Sequence, residues 1–421
     1  MPTILDDLAA RGLVHDSTDT SVLAERLEQP ITVYCGFDPT ADSLHIGSLV
    51  PLLLLRRFQE HGHHAIALAG GATGMVGDPS GRSDERNLLD QATLDHNLTA
   101  IRGQLSAFLD FARPGNPARL VDNRDWTAPV SVLDFLRDVG KHITVNQMLA
   151  KESVRVRVQS DQGISFTEFS YMLLQANDFR WLFEHEGCEL QVGGSDQWGN
   201  ITAGIDLIHK ALGQRAYGLT VPLITRSDGA KFGKTAAGAV WLDPQRSSPY
   251  ELYQYFVNVP DADVERLLLQ LTLLPVEEAA AIADAHRRAP EQRDAQRRLA
   301  VEVTSLVHGG TAADDAAAAS NDFARSTGSL APAELAALAG EIPSSELPSD
   351  RVVGAAVVDL LVEVGLATSK SDARRTIEQG GASVNDTVVT ALRPLEPAEV
   401  LHGRYVMLRR GKKRRHLIVV T

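Results

Sequence analysis

The chain has 421 residues, 44% of them apolar and 23% charged, with a net charge of −13; this length exceeds the roughly 250–300 residues that one hydrophobic core serves, so we expect at least two domains. Two cysteines, Cys35 and Cys188, without metal-type spacing exclude a disulfide framework and a structural zinc site, and they favour a reducing compartment. No apolar run reaches the ~18 residues of a membrane span and no apolar leader follows a basic start, so we expect a cytoplasmic protein without membrane contact.

Short apolar runs alternate with helical patterns along the first 225 residues. Strands are predicted at 31–37, 65–71, 119–122, 189–194 and 219–224. Helices are predicted at 46–62 and 197–212, and near 94–112, 131–138 and 167–176. Near-continuous apolar strands separated by helices are typical of a parallel sheet covered on both faces. We therefore expect a Rossmann-like, doubly wound α/β domain over 1–225, with ligands at the carboxyl ends of its strands.

The rest of the sequence predicts two smaller domains. A mobile, Gly/Ala-rich loop is expected at 226–245, followed by an α-helical domain at 246–325, where strand patterns are absent. Serine and proline around one short helical stretch predict a linker at 326–350. Residues 351–421 predict a small basic α+β domain with a net charge of +5, so the preceding residues carry −18. A basic end on an acidic chain indicates an anionic polymer as partner.

The first motif joins the first strand to the first long helix, in the run Tyr34-Cys-Gly-Phe-Asp-Pro-Thr-Ala-Asp-Ser-Leu-His-Ile-Gly-Ser48. Gly36 lets a ligand approach the backbone, because glycine has no Cβ. Thr40 and His45 could donate hydrogen bonds to phosphate beside a helix N-terminus, and Gly47 would leave room for an adenine ring. A helix-capping turn with a chance His-x-Gly is the alternative interpretation.

The second motif, Lys231-Phe-Gly-Lys-Thr235, follows the last predicted strand. Two lysines and a hydroxyl on a loop suit the negative charge that grows on a leaving pyrophosphate. A solvated basic turn is the alternative. Both motifs, in this order and each just past a strand, together favour a nucleotide site.

These motifs resemble the His-Ile-Gly-His and Lys-Met-Ser-Lys-Ser signatures of class I aminoacyl-tRNA synthetases, with Ser48 in place of the second histidine. Three further runs resemble bacterial tyrosyl-tRNA synthetases: GGATGMVGDPSG (70–81), FTEFSYMLLQANDF (166–179) and LQVGGSDQWGN (190–200). The resemblance extends from about residue 30 to the end. It implies ATP as a substrate together with L-tyrosine and tRNA, Mg²⁺ accompanying the ATP, and a homodimer.

The resemblance also implies roles for individual residues. Tyr34 and Asp178 would contact the substrate hydroxyl, and Asp78, Tyr171 and Gln175 its ammonium group. Independently, Tyr171, Gln175 and Asp178 share one face of a helix by their spacing. The remaining implied contacts are Gln197 with tyrosine, and Gly36, Asp38, His45, Gly47, Ser48, Gly194, Asp196 and Lys234 with ATP. The catalytic set is Thr40, His45, Lys231, Lys234 and Thr235, with Arg82 and Arg86 able to reach the phosphates unless they lie on a charged surface loop. Cys35 could face the ribose or be a small buried thiol.

The final 70 residues resemble a small RNA-binding fold first named in a ribosomal small-subunit protein. Basic side chains occur on a predicted short helix and in the turn of a predicted hairpin. The candidates for tRNA contact are Lys370, Arg374, Arg375, Arg409, Arg410, Lys412 and Lys413. Contacts of this kind with phosphate give affinity without sequence readout. A solubilising charged hairpin is the alternative.

The expected reaction is attack of the tyrosine carboxylate on the α-phosphate of ATP, followed by transfer of tyrosine to the 3′ end of tRNA. No general base is needed, because a carboxylate is already a nucleophile, and no dedicated metal cage is evident in the sequence. A tryptophanyl-tRNA synthetase is the nearest alternative, but an indole offers only a donor to Tyr34 and Asp178. A non-catalytic RNA-binding paralogue is the other alternative, against which His45, Lys231 and Lys234 argue.

Overall fold

A computed structural model describes residues 3–80, 89–159, 163–225, 227, 232–235, 238–324, 327–411 and 414–421. Up to residue 246 the elements are α1 (Ile4–Ala10), α2 (Thr20–Arg26), β1 (Thr32–Phe37), α3 (Leu49–Glu60), β2 (His64–Ala69), α4 (Gln91–Phe108), β3 (Arg119–Asp122), α5 (Arg124–Thr127), α6 (Val132–Asp138), α7 (Val145–Leu149), α8 (Glu152–Val158), α9 (Phe166–Glu186), β4 (Cys188–Gly194), α10 (Trp198–Leu212), β5 (Tyr217–Val221), β6 (Lys234–Thr235) and β7 (Gly238–Ala239).

The later elements are α11 (Pro249–Val257), α12 (Asp261–Leu271), α13 (Val276–Arg288), α14 (Asp294–His308), α15 (Gly310–Ala324), α16 (Pro332–Glu341), β8 (Ser344–Leu347), α17 (Ser349–Val352), α18 (Val357–Glu363), α19 (Lys370–Glu378), β9 (Ala382–Val384), β10 (Thr387–Val388), β11 (Tyr405–Arg410) and β12 (Arg414–Val420). Among the described residues, no helix is both long enough and apolar enough to cross a membrane.

The first sheet is parallel and has the order β3-β2-β1-β4-β5. Its central strand β1 is buried except at Gly36, because its side chains pack beneath helices and neighbouring strands. The strand order reverses between β1 and β4. Strands β2 and β3 lie on one side of β1, and β4 and β5 lie on the other. A crevice forms at the carboxyl ends of strands at such a reversal. This confirms the predicted Rossmann-like parallel sheet.

The chain divides into two compact units, one comprising Met1–Arg246 with Val259–Ala295, and the other Ser247–Asn258 with Gln296–Thr421. This division differs from the predicted boundary at residue 246, because α12 and α13 belong to the unit that holds the parallel sheet. The buried Arg57 guanidinium explains the difference. Its Nη2 donates to the carbonyl oxygen of Thr272 at 2.6 Å, which ties the end of α12 to α3.

The second unit contains helices and a five-stranded sheet in the order β10-β9-β11-β12-β8. Strand β8 pairs in parallel with β12, so the predicted linker at 326–350 supplies both α16 and an edge strand. The backbone N–H of Thr327 also donates to Asp386 at 2.6 Å, and His402 lies 2.9 Å from the Leu330 carbonyl oxygen. Residues 327–350 therefore contribute a helix and a paired strand to this unit, which differs from the predicted linker.

Candidate active site

A cavity of about 820 Å³ opens at the carboxyl ends of β1, β2, β4 and β5. Its lining includes most of the predicted tyrosine and ATP residues: Tyr34, Gly36, Asp38, Thr40, His45, Gly47, Ser48, Asp78, Tyr171, Gln175, Asp178, Gly194, Asp196 and Gln197. Elements far apart in sequence meet here because parallel strands end at the same edge of the sheet. The expectation that ligands bind at the carboxyl ends of parallel strands (the strand-end rule) and the sequence motifs thus point to the same site.

The Asp178 carboxylate lies buried in this cavity, in the second half of α9. Its two oxygens accept hydrogen bonds from Asn123 Nδ2 at 2.9 Å and from Trp126 Nε1 at 2.8 Å. Burial raises the pKa of Asp178 to about 7, and it outweighs these two hydrogen bonds. The sequence analysis missed Asn123 and Trp126, although Asn123 directly follows β3 and could have been found by the strand-end rule.

The hydroxyl of Tyr34 is buried beside this carboxylate and has no hydrogen-bond partner among the described residues. Burial, and next the charge of Asp178, raise the pKa of Tyr34 well above its ordinary value. A buried hydroxyl without a partner is destabilising. A ligand hydroxyl that donates to Asp178 and accepts from Tyr34 would satisfy both groups.

A second group of polar side chains surrounds Asp78. Gln197 Nε2 donates to one of its oxygens at 2.7 Å, and the backbone N–H of Ser80 donates to the other at 2.9 Å. Gln175 Nε2 lies 3.5 Å from Gln197 Oε1, while Gln175 Oε1 has no partner among the described residues. These acceptors, close to the negative charge of Asp78, suit a ligand ammonium group.

One hydrogen-bond network connects the helix α9 to β1 and β3. The hydroxyl of Tyr171 donates to Asp38 Oδ2 at 2.9 Å, and Thr73 Oγ1 donates to Asp38 Oδ1 at 2.7 Å. Asn123 Nδ2 donates in turn to Thr73 Oγ1 at 3.0 Å, as well as to Asp178. Asp38, expected at the ATP, is thus joined to the residues expected at the tyrosine.

His45 precedes a 3₁₀ turn over Ile46–Ser48 that leads into α3. Its ring Nδ1 accepts a hydrogen bond from the backbone N–H of Gly47 at 3.0 Å. A Cβ atom at position 47 would lie 2.7 Å from His45 Cε1, so only glycine leaves the imidazole in place. Among the described lining residues, His45 is the only basic side chain. Ser48 lines the cavity and makes no side-chain cap to the helix.

The two signature motifs, almost 190 residues apart, are adjacent in the structure. The backbone N–H of Ile46 donates to the Val240 carbonyl oxygen at 3.0 Å, and the Val240 N–H donates to the Gly233 carbonyl oxygen at 2.9 Å. A Cβ at Gly233 would lie 2.9 Å from Ile46 Cγ1, and the φ of Gly233 is +81°. The second motif therefore returns to the first through its Gly233.

Some predicted residues lie outside the described part of the chain, so their placement stays a prediction. Among the catalytic candidates these are Arg82, Arg86 and Lys231; for Lys234 and Thr235, only the backbone, in the short hairpin β6–β7, is described. Lys412 and Lys413 also lie outside it.

Asp196 and Cys35 face the remaining side of the cavity. Asp196 lies in a 3₁₀ turn that follows β4, and burial raises its pKa. Burial, and next the charge of Asp196, raise the pKa of Cys35 to about 12, so its thiol is neutral near pH 7. Cys35 thus lines the cavity as a buried thiol, and its contact with the ribose stays a prediction.

Comparison with known proteins identifies the family. A model described as tRNA synthetases class I (W and Y) matches residues 25–325, and one described as the tyrosine–tRNA ligase SYY-like C-terminal domain matches residues 334–418. The tyrosine–tRNA ligase of Opitutus terrae is 57% identical over 98% of both chains, and that of Roseiflexus castenholzii is 53% identical over 99% of both.

This chain belongs to the tyrosine–tRNA ligases. Among solved structures, a C-terminally truncated mitochondrial tyrosyl-tRNA synthetase from Aspergillus nidulans superposes with a TM-score of 0.70 at 32% identity, over 77% of this chain and 94% of that one. The tyrosine–tRNA ligase C-terminal match removes the tryptophanyl alternative, which the class I model alone leaves open.

In this tyrosine–tRNA ligase, the basic candidates of the second unit fall into two groups. Arg374 and Arg375 are exposed on α19, and Lys370 is 64% exposed beside Asp359. Arg410 differs, because its guanidinium donates to both oxygens of Asp372, at 2.7 and 2.8 Å, and to the Leu366 carbonyl oxygen at 2.8 Å. These bonds join β11 to α19.

Arg409 is 29% exposed and lies 3.9 Å from Asp386. The exposed side chains of α19 are therefore better placed for a phosphate backbone than Arg410, whose donors serve the fold.

Proposed function

We propose that this tyrosine–tRNA ligase binds L-tyrosine with its phenol between Tyr34 and Asp178. The observation that supports this most directly is the buried Tyr34 hydroxyl without a partner among the described residues, beside a carboxylate that can accept a third hydrogen bond. A phenol both donates and accepts, whereas an indole N–H only donates. The pair therefore favours tyrosine over tryptophan.

The ammonium group of tyrosine is proposed to lie among Asp78, Tyr171 and Gln175, with Gln197 holding Asp78 in position. The negative charge and acceptor atoms of this group suit a cation. The tyrosine carboxylate would then point towards the first motif, where the ATP is proposed to bind.

ATP is proposed to occupy the side of the cavity formed by Gly36, Gly47, Ser48, Gly194 and Asp196. The Asp196 carboxylate can accept hydrogen bonds from ribose hydroxyls. Thr40 and His45 are proposed to stabilise the pentavalent α-phosphate from one side, and Lys231, Lys234 and Thr235 the leaving pyrophosphate from the other. Arg82 and Arg86 are proposed to reach the same phosphates.

Mg²⁺ is proposed to arrive with the phosphates of ATP. The carboxylates of the cavity fit this role poorly as protein ligands, because they already accept hydrogen bonds from neighbouring side chains: Asp38 from Tyr171 and Thr73, Asp78 from Gln197, and Asp178 from Asn123 and Trp126. The ion would supply positive charge to the phosphates, and the chain would position the nucleotide.

The second unit is proposed to bind tRNA through the exposed basic residues of α19, and Arg409, Lys412 and Lys413 are proposed as further contacts. Transfer then proceeds from tyrosyl-adenylate to a ribose hydroxyl at the 3′ end of tRNA.

A homodimer is proposed from helix α6, which carries Val132, Leu133 and Leu136 at 75%, 79% and 49% exposure. No residue of α6, all of which the structure describes, is buried. Phe166, at 77% exposure, adds a further exposed apolar side chain. Large exposed apolar side chains on one helix mark an interaction surface, and a second copy of this chain is the proposed partner.

Amino-acid-dependent exchange of pyrophosphate into ATP tests the proposed function. Tyrosine should support exchange, and tryptophan and phenylalanine should not do so at comparable concentrations. The Tyr34→Phe variant removes only the unpartnered hydroxyl. It should narrow the difference between the exchange rates that tyrosine and phenylalanine support. Exchange with tryptophan but not tyrosine would refute the assignment.

A further inference from the structure

Helix α12 contacts the beginning of the loop that carries the second motif. Asp263 lies in the first turn of α12. The backbone N–H of Ser227 donates to both oxygens of its carboxylate, each at 3.1 Å. The Ser227 hydroxyl donates to the same carboxylate at 3.0 Å. Ser227 precedes Lys231 by only four residues, so this contact fixes the chain just before the proposed phosphate-binding residues.

The local sequence of α12 explains why Asp263 turns towards Ser227. An acidic residue at the third position of a helix usually accepts from the N–H of the capping residue. Here the capping residue is Pro260, which has no N–H. Asp263 is only 2% exposed, and a buried carboxylate needs donors, so it takes them from Ser227.

A neighbouring arginine makes a second contact of the same kind. Arg266 Nη2 donates to the Thr225 carbonyl oxygen at 2.5 Å and to Asp263 Oδ1 at 2.9 Å. The backbone is therefore held on both sides of residue 226, once through a carbonyl and once through an N–H. On the loop, the backbone groups of residues 225 and 227 make these bonds, and the Ser227 hydroxyl adds one side-chain donor.

The other end of α12 is fixed to the body of the same unit. The buried Arg57 donates to the carbonyl oxygens of Gln270 at 3.2 Å and Thr272 at 2.6 Å. Arg11 donates to the Leu274 carbonyl oxygen at 2.9 Å. Cationic groups at a helix C-terminus are favourable because they oppose the helix dipole. A helix held at its far end gives Asp263 a fixed position from which to hold the loop.

We infer that Asp263, supported by Arg266, is a positioning residue for tyrosine activation, because it sets where the chain enters the loop carrying Lys231, Lys234 and Thr235. The inference rests on the proposed role of that loop at the phosphates. Gly233, in the middle of the motif, lies against Ile46. The contact at Ser227 precedes both lysines in the chain, and we expect its release to misplace their charges in the transition state.

The test uses the full-length enzyme with the substitution Asp263→Asn, which keeps the size of the side chain but removes its charge. The pre-steady-state rate of tyrosyl-adenylate formation at saturating ATP should fall about 10- to 100-fold, as expected when charged groups move by an ångström or so. Equilibrium binding of tyrosine should not change, because the tyrosine pocket does not involve Asp263. The Ser227→Ala variant should form tyrosyl-adenylate about 5-fold more slowly, which is the effect of one ordinary hydrogen bond.

Two reference variants make the result decisive. Asp261→Asn removes the same charge from the same turn of α12, at a site 56% exposed, and should activate tyrosine at the wild-type rate. Lys234→Ala reports on the loop itself. If Lys234→Ala is slow and Asp263→Asn activates normally, with at most a lower unfolding midpoint, Asp263 is only structural and the inference is overturned. If Lys234→Ala also activates normally, the proposed role of the loop fails, and the inference falls with it.

Discussion

The electrostatics of Asp178 decide what the cavity can bind. Two hydrogen bonds favour its ionised form, yet burial holds the pKa at about 7. A third donor, from a phenol, would favour the ionised form further. Phenylalanine would leave the buried Tyr34 hydroxyl unsatisfied, at a penalty of ~1–3 kcal/mol, and would give Asp178 no third donor. Tyrosyl enzymes are the usual example of such discrimination.

We predict that tyrosine affinity depends on pH through Asp178. The phenol donates to the ionised carboxylate, so the dissociation constant for tyrosine should rise as the pH falls through the pKa of about 7. Equilibrium dialysis with labelled tyrosine, from about one unit above to about one unit below this pKa, measures the effect. The Asp178→Asn variant should bind tyrosine weakly, and its dissociation constant should change less with pH. A flat wild-type profile would contradict the prediction.

The same group affects the stability of the free enzyme in the opposite sense. Folding raises the pKa of Asp178 from 3.8 to about 7, so the folded chain holds a proton that the unfolded chain releases. Its contribution to stability is therefore complete below the lower value and is lost as the pH rises through about 7. Tyrosine, which favours the ionised form, should stabilise the protein most above that pH.

We predict that Gly47→Ala disrupts activation through His45. The new Cβ would lie 2.7 Å from the His45 ring, which must turn away from its hydrogen bond with the backbone. Adenylate formation should slow by ~10-fold or more, since a displaced donor no longer meets the transition state. Gly103→Ala is the matched control, because a Cβ there meets nothing within 4 Å. Equal rates for both variants would show that the imidazole position is unimportant.

The motifs made most of these residues predictable from sequence, but not their partners. Tyr34, Asp78 and Asp178 were expected in the pocket by resemblance, and all of them line the cavity. Asn123 and Trp126 belong to no quoted motif, and their contacts with Asp178 span more than fifty residues. Such contacts depend on how α9 packs against the end of β3, which local patterns do not encode.

At the scale of elements, the catalytic sheet was predictable and the edge strand of the second sheet was not. Strand β3 was predicted at its observed bounds, whereas α9 continues to Glu186, ten residues beyond its predicted end. Strand β8 has the sequence Ser-Ser-Glu-Leu, which lacks the apolar alternation of a strand. It forms because β12, some seventy residues later, offers an unpaired edge. A pairing so distant in sequence leaves no local signal.

Helix α6 carries a prediction about assembly. Leu133→Glu places a charge on the most exposed apolar residue of this helix and should convert the proposed dimer to a monomer of about 45.5 kDa. Sedimentation velocity over a range of concentrations measures the change. Arg137→Gln, on the same helix and 67% exposed, is the control and should leave the assembly unaltered. A wild-type chain that sediments as a monomer at every concentration would exclude the proposal.

At the scale of the whole molecule, charge and chemistry are separated along the chain. Residues 351–421 carry a net charge of +5, whereas the preceding chain carries −18. An acidic body repels a polyanion, so the basic residues of the last 70 positions are where an RNA backbone finds attraction. The tyrosine cavity, in contrast, is lined entirely by residues before 242. Activation and tRNA binding should therefore be separable.

We predict that a chain ended after residue 324 still forms tyrosyl-adenylate but no longer charges tRNA at the intact enzyme's affinity. This end point keeps α11 packed with α15, where Gln254 donates to Ser320 at 2.7 Å, and it avoids cutting β8. The Aspergillus nidulans relative was crystallised in a C-terminally truncated form. Single-turnover activation and tRNA charging over a range of salt concentrations measure the two steps. Charging by the intact enzyme should weaken steeply with salt, because phosphate contacts release counterions.

Two full-length variants separate loss of charge from loss of fold in this experiment. Combined Lys370→Gln, Arg374→Gln and Arg375→Gln should reproduce the charging defect with an unchanged unfolding midpoint, because these side chains are exposed. Arg410→Gln should instead lower the midpoint, because its guanidinium joins β11 to Asp372 of α19. Normal charging by the triple variant would place the RNA contacts elsewhere. Loss of adenylate formation in the truncated chain would show that activation needs residues beyond 324.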